Sequence, residues 1–303
     1  GAQRDLAVSM DGQLAVRAIL PGASHRGAMP PLAPLVMPRQ ELRARPALQF
    51  PETVDFRAVL ARAITLSGTV AIVAYGVTEM IAIMRNDDMT SLQALMIVFF
   101  GVTLAWIAQA AAGAVAGLLP QRRIPLASLQ DAMTRRTALV MPIYNEDPLR
   151  TTLALQAMAE DLLAAGAQDG FEIVVLSDST QPDAWIRESI AIGRLREALQ
   201  GRMPVWYRRR WRNVGRKAGN LQDFVERWGA RYDYMVVLDA DSLLTASTLV
   251  TLVRAMRADA QLGLLQTVPL LVGRSSLLAR LQQFAGRMYG PPIARGVAAW
   301  SGD

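Results

Sequence analysis

Residues 234–242, YMVVLDADS, decide the fold. A short run rich in β-branched and aromatic residues, closed by a polar turn, reads as a buried strand. The pair Asp239-x-Asp241 then falls at its carboxyl end. The same grammar occurs twice upstream: TALVMPIY (137–144) runs into Asn145-Glu146, and FEIVVL (171–176) runs into Ser177-Asp178-Ser179. Between these runs lie stretches with helical spacing of apolar residues, at 147–165, 183–200, 217–228 and 247–257. A shorter strand is expected at 204–207 and a fifth at 262–267. Strands alternating with helices predict an α/β domain with a mostly parallel sheet. Ligands of such sheets bind beyond the carboxyl ends of the strands, so three acid-bearing turns are expected to converge on one crevice.

Two neighbouring carboxylates repel unless a cation neutralises them. Asp239 and Asp241 therefore suit a hard divalent ion that also takes phosphate oxygens, the usual coordination of Mg²⁺. An aspartate capping the following helix is the plainer account of the same residues. A second feature is YRRRWRNVGRKAGN (207–220), with five arginines and Lys217 inside eleven residues, interleaved with aromatics. Such a cluster fits a nucleic acid, a membrane surface or a solvated face. Lys217, with the small residues Ala218 and Gly219 at a helix start beside the crevice, also fits a diphosphate. The chain contains neither GxxxxGK[ST] nor GxGxxG, so the two common nucleotide-binding loops are absent.

Composition narrows the chemistry further. The chain of 303 residues has no cysteine and one histidine, His25. Disulfides, thiolate nucleophiles, iron–sulfur clusters and multi-histidine metal cages are excluded, and only oxygen-ligated cations remain. The net charge is +6, and of 32 basic residues only Lys217 is lysine.

Residues 1–57 hold seven of the sixteen prolines and little periodicity, and read as a disordered tail ending in Arg39, Arg43 and Arg45. There is no apolar core of a signal peptide and no initiating Met, so the natural N-terminus is expected to lie further upstream. The runs 63–84, with Glu79 as its one charge, and 92–119, with none, are each long enough to span a bilayer. Arg57, Arg62, Arg122, Arg123, Arg135 and Arg136 flank the pair, while Arg85, Asp87 and Asp88 lie between. The positive-inside rule places both flanks in the cytoplasm. Gly113 and Gly117 give the second helix a GxxxG spacing suited to close helix packing. The expected organisation is a cytoplasmic tail at 1–57, two membrane helices within 58–120, a juxtamembrane linker or interface helix at 121–136, and the α/β domain at 137–303.

In motif order, namely strand-NE, strand-SDS, KAGN, LDADS and then QTVP (266–269), the chain resembles the processive family 2 glycosyltransferases with a Rossmann-like GT-A fold, which include cellulose and hyaluronan synthases. It is most similar to the inner-membrane branch that makes osmoregulated periplasmic glucans, through MPIYNED (141–147), LSDST (176–180), YRRRWRNVGRKAGN, WGARYDYMVVLDADS (228–242) and QQFAGRMYGP (282–291). The resemblance implies an inverting hexosyltransferase using UDP-glucose and Mg²⁺ or Mn²⁺. It places Asp178 on the uracil with Asn145 and Glu146 in the same pocket, Lys217 on the diphosphate, Asp239 and Asp241 on the metal, and Gln266 near the donor sugar or acceptor. It further implies a growing β-1,2 glucan as acceptor, a lipid bilayer, a periplasmic glucan-modifying partner, and no nucleic acid. The family's general base, in a TED-like motif, and its QxxRW motif do not occur before residue 303. The chain is therefore expected to be the front part of a synthase, binding donor without transferring sugar. Two other readings stay open: another family 2 polysaccharide synthase, such as a cellulose-like one, and a non-catalytic nucleotide-binding membrane scaffold or sensor.

Overall fold

In the computed structural model, residues 29–37, 55–85, 89–120 and 124–302 are described. His25, Arg39, Arg43, Arg45, Asp87, Asp88, Arg122, Arg123 and Asp303 lie outside them. The elements in chain order are α1 (Phe56–Met84), α2 (Ser91–Ala116), α3 (Leu129–Met133), β1 (Thr137–Ile143), α4 (Pro148–Ala164), β2 (Phe171–Ser177), α5 (Pro182–Leu199), β3 (Val205–Arg209), α6 (Arg216–Trp228), β4 (Tyr234–Val237), α7 (Ala246–Ala258) and α8 (Leu277–Ser301). They fall into two compact units. One takes in 1–43 and 125–265, the other 44–124 and 266–303. The expected domain at 137–303 thus runs across a boundary at residue 265.

The first unit is built on a four-stranded, wholly parallel sheet in the order β3-β2-β1-β4. Side chains alternate between its faces, and each face has its own core. Leu139, Met141, Ile173 and Val175 pack with Leu155 and Leu162 of α4, Leu195 of α5 and Leu249 of α7. Ala138, Val140, Val174 and Leu176 pack with Phe224 and Trp228 of α6. Because β1 and β2 are covered on both faces, they read as continuous apolar runs. The strand order reverses between β1 and β4, which makes the carboxyl ends of those two strands the topological switch point.

Two expectations are corrected. Residues 262–267 form no strand; they run as irregular chain, with Leu264 82% exposed. Apolar composition alone does not make a strand without a ladder partner. The tail is not uniformly without structure: residues 29–37 dock on the end of α6, where Trp228 Nε1 donates to the Pro30 carbonyl at 3.0 Å. A further element, α8, is one the sequence pattern hides because Pro291 and Pro292 lie inside the helix.

In the second unit, α1 and α2 are 29 and 26 residues long and are apolar enough to cross a membrane. Asp55 caps α1 by accepting the Arg57 N–H at 2.9 Å, so the helix starts seven residues before the expected span. Small residues line the helix contacts, with Ala108, Ala112 and Ala116 of α2 buried and Gly68 of α1 facing Ala112. The GxxxG of α2 packs against α8. A side chain on Gly117 would collide with the Pro292 carbonyl, and one on Gly296 with the Gly113 carbonyl, so only glycine allows this approach.

Candidate functional site

The switch point opens into a cleft of about 660 Å³. Pro142, Ile143 and Tyr144 of the β1 end line it, together with Glu146, Asp178, Asn213, Lys217, Asn220, Asp239 and Asp241. Both aspartates of the LDADS turn reach the same cleft. The reason is local: the Ser242 N–H donates to the Asp239 carbonyl at 2.9 Å, and Ser242 Oγ accepts from the Asp239 N–H at 3.2 Å. This reciprocal turn puts residues 239–241 along one wall.

Asp178 is 3% exposed and does not stand free. Arg210 grips it through both guanidinium arms, Nε to Oδ1 and Nη2 to Oδ2, each 2.7 Å. That fork raises the pKa of Arg210, against the lowering effect of its partial burial. The turn carrying Asp178 is held from below by Glu188 of α5, itself 1% exposed. Glu188 accepts from Ser177 Oγ at 2.6 Å, from Ser179 Oγ and from Tyr207 OH at 3.1 Å. Burial first, and the Glu188 charge second, push the Tyr207 phenol well above its ordinary range, so it remains a hydrogen-bond donor. Neither Arg210 nor Glu188 was anticipated as part of the site. A buried acid inside a helical pattern, as at 188, was the one available signal.

Asn145 takes a different position from that expected. It is not among the residues lining the cleft. In a left-handed conformation, φ +52°, its N–H donates to Ser179 Oγ at 2.8 Å. Its amide oxygen accepts from the Thr180 and Gln181 N–H groups at 3.2 and 3.4 Å. It is a staple between the β1 and β2 turns, and asparagine is among the few non-glycine residues that tolerate this backbone. Gln266 belongs to the second unit.

The basic cluster proves to be several separate devices. Arg208 is 3% exposed. It pairs with Asp223 and donates to Asn220 Oδ1 at 2.5 Å and to the Asn220 carbonyl at 3.2 Å. Burial pulls its pKa down to about 10, the Asp223 charge opposing, so it stays charged at neutral pH. Arg209 lies over the rings of Trp185 and Trp211, at 4.7 and 5.4 Å from their centroids. Lys217, exposed at the start of α6, donates to Asp239 Oδ1 across the cleft. Gly219 is required by the fold, because a side chain there would collide with the Val214 carbonyl. Asn213 Oδ1 is buried in the cleft wall and has no hydrogen-bond partner among the described residues.

Among the described residues no three acidic or histidine side chains come together as a metal cage. Asp239 and Asp241 supply hard oxygen ligands of the right type, and they would hold a divalent ion in company with oxygens from a bound anion.

A parallel sheet with acidic turns and a lysine-bearing helix start at its switch point is a framework suited to a phosphate-bearing ligand. Residues 138–284 match the Glycosyl transferase family 2 family, and the chain carries a family 2 glycosyltransferase domain. It is similar to proteins named glucans biosynthesis glucosyltransferase H: 39% identical over 284 residues to that of Shewanella sp. (strain ANA-3), covering 90% of this chain and 38% of the relative. To that of Shewanella baltica (strain OS185) it is 43% identical over 241 residues, covering 79% and 33%. To that of Xanthomonas oryzae pv. oryzae (strain MAFF 311018) it is 38% identical over 292 residues, covering 90% and 44%. The chain thus spans less than half the length of these curated relatives.

Proposed function

We propose that this chain is the donor-binding part of a bacterial inner-membrane glucosyltransferase. It would use UDP-glucose to extend the β-1,2-linked backbone of osmoregulated periplasmic glucans, with α1 and α2 spanning the bilayer and the α/β unit in the cytoplasm. The observation that carries this reading is the meeting of Asp178–Arg210, Lys217 and Asp239/Asp241 around one cleft at the switch point. The names of the relatives supply the sugar and the product class.

In this reading the Asp178 carboxylate, fixed by Arg210, accepts from the base edge of uracil. Lys217 leaves Asp239 to meet the diphosphate, freeing that carboxylate for Mg²⁺ or Mn²⁺ beside Asp241. The ion, when bound, neutralises charge on the phosphate oxygens. In the transfer, an acceptor hydroxyl oxygen bonds to the anomeric carbon and the bond from that carbon to the diphosphate oxygen breaks. The electron pair leaves with UDP, whose growing charge the Lys217 ammonium stabilises. The hydroxyl proton passes to a general base, a role we assign to none of the cleft carboxylates.

The test is titration calorimetry of UDP with and without Mg²⁺ on the purified chain, together with labelled UDP-glucose, UDP-galactose and UDP-N-acetylglucosamine supplied to membranes carrying the whole synthase. Magnesium-dependent UDP binding and incorporation from UDP-glucose alone are expected. A chain that ignores UDP overturns the donor-site reading. Incorporation from another sugar moves the assignment to a different family 2 polymer.

A further inference from the structure

We propose that the proline-rich segment 29–37 is a clasp: it docks on the carboxyl end of α6 and holds that helix in the position that forms the cleft wall. The contact is made by both backbone and side chains. The Ala33 N–H donates to the Arg227 carbonyl at 2.9 Å, and the Ala33 carbonyl accepts from the Ala230 N–H at 3.1 Å. The Pro30 carbonyl accepts from Trp228 Nε1 at 3.0 Å. Met29 packs against the core cluster of Phe224 and Trp228. Leu35 lies over Gly229, where a methyl group would come within 3.0–3.1 Å of its side chain.

The sequence MPPLAPLVM is suited to this seat. Pro30, Pro31 and Pro34 restrict the backbone to extended conformations, so little freedom is lost on docking. Ala33 is the one residue of the stretch that uses both its N–H and its carbonyl in the contact, and it is not a proline.

From the clasp, a continuous series of contacts leads to the cleft. The Trp228 ring lies 5.7 Å from the Arg208 guanidinium. Arg208 holds Asn220 by its carbonyl and its amide oxygen. Asn220 donates to the Leu176 carbonyl at 3.0 Å and lines the cleft one turn beyond Lys217. A helix fixed at Trp228 presents Lys217 and Asn220 in register with β2; a helix freed there loses the support of Trp228 under Arg208.

The test is hydrogen exchange, read by mass spectrometry on the full chain in detergent micelles, comparing wild type with the double variant Met29→Asp/Leu35→Asp. Both substitutions lie in the docked segment, and β1 and β2 peptides report that the core is intact. In wild type, Ala33 and Ala230 are protected. In the variant, exchange is faster on the order of tenfold in 29–37 and also in 216–224, as loss of the two bonds to Ala33 allows. Free-chain exchange of 29–37 in wild type overturns the clasp. Exposure of 29–37 in the variant with 216–224 unchanged overturns its hold on α6. A second arm rests on the donor reading above: UDP with Mg²⁺ slows exchange at Ala33, since coupling between sites is reciprocal. Bound UDP without that effect overturns the coupling, whereas wild type that binds no UDP overturns the donor reading and leaves the first comparison standing.

Discussion

Arg210→Ala tests the structural logic of the site most sharply. The Asp178 and Arg210 side chains are 4% and 11% exposed and share two 2.7 Å bonds. Removing the arginine leaves without its partner a carboxylate whose side chain is only 4% exposed, and breaking one side of a buried ion pair costs about 3–5 kcal/mol. In a unit of this size each kcal/mol lowers the melting temperature by about 3 °C. The expected loss is therefore about 9–15 °C, read by intrinsic fluorescence of Trp185, Trp206, Trp211 and Trp228. The double variant Asp178→Asn/Arg210→Ala carries no stranded charge and should recover most of that loss, so that with the Asp178→Asn single variant it gives a coupling energy well outside the additive range of about 0.5 kcal/mol. UDP affinity should fall in both, because the double variant restores stability without restoring the fork that orients residue 178. An Arg210→Ala protein melting within about 2 °C of wild type would refute the reasoning, as it would show Asp178 to be content without its partner.

The Lys217–Asp239 pair is exposed, 48% and 68% by side chain, so Lys217→Met should change stability by less than about 1 kcal/mol while weakening UDP binding at least tenfold by calorimetry. Asp241→Ala should abolish the magnesium-dependent part of UDP binding; binding that keeps its full metal dependence rejects the metal role. Gly219→Ala drives a methyl group into the Val214 carbonyl and should lower the melting temperature, with a cost of about 1–3 kcal/mol typical of overpacking. For Glu172, burial acts to raise the pKa, but bonds from Arg231, Trp206 and Tyr232 outweigh it and leave the carboxyl below its ordinary 4.5. A depressed carboxyl stabilises above its unfolded value and loses that effect as pH falls through the folded one. The stability gap between wild type and Glu172→Gln should therefore be full at pH 7 and shrink below about pH 4.5.

The alternation of strands and helices from 137 to 258 was legible because β1 and β2 are buried on both faces and must be apolar throughout. What remained hidden depended on neighbours. Residues 262–267 have the composition of a strand, yet composition carries no information about a free sheet edge to pair with. In α8, Pro291 and Pro292 argue locally for a break, while packing of Gly296 against α2 supports a helix there. The docked segment 29–37 was misread for a related reason. Proline-rich chain forms no regular element by itself, and its order comes from carbonyl and indole groups supplied by α6 some two hundred residues later. At the site, the acidic turns could be placed from sequence by the strand-end rule. Asn145 could not be told from a ligand-binding residue, because its conformation depends on where the β2 turn comes to rest.

The arginine run shows how far a simple periodicity reaches. Side chains of a strand alternate between faces, and β3 obeys this through its last residue. Trp206 and Arg208 meet Glu172 and Asp223 on the α6 side. Tyr207 and Arg209 meet Glu188 and Trp185 on the α5 side. Arg210, just past the strand, turns back onto Asp178. Period-two reading of VWYRRR would have divided the cluster into separate tasks, where charge counting made it one basic patch. The division also sets Lys217 apart from its arginine neighbours. Arg208 and Arg210 use their planar forks to hold two acceptors at once and Arg209 uses its flat face between two indoles, tasks that a compact ammonium cannot perform. Residue 217 meets one exposed carboxylate, and its proposed work is to leave that partner for a phosphate. A flexible point charge suits this exchange, and a fork bound at two places would oppose it. Lys217→Arg should accordingly keep the ion pair and the melting temperature yet lose UDP affinity, and a variant that binds UDP as wild type does would show that any cation suffices there.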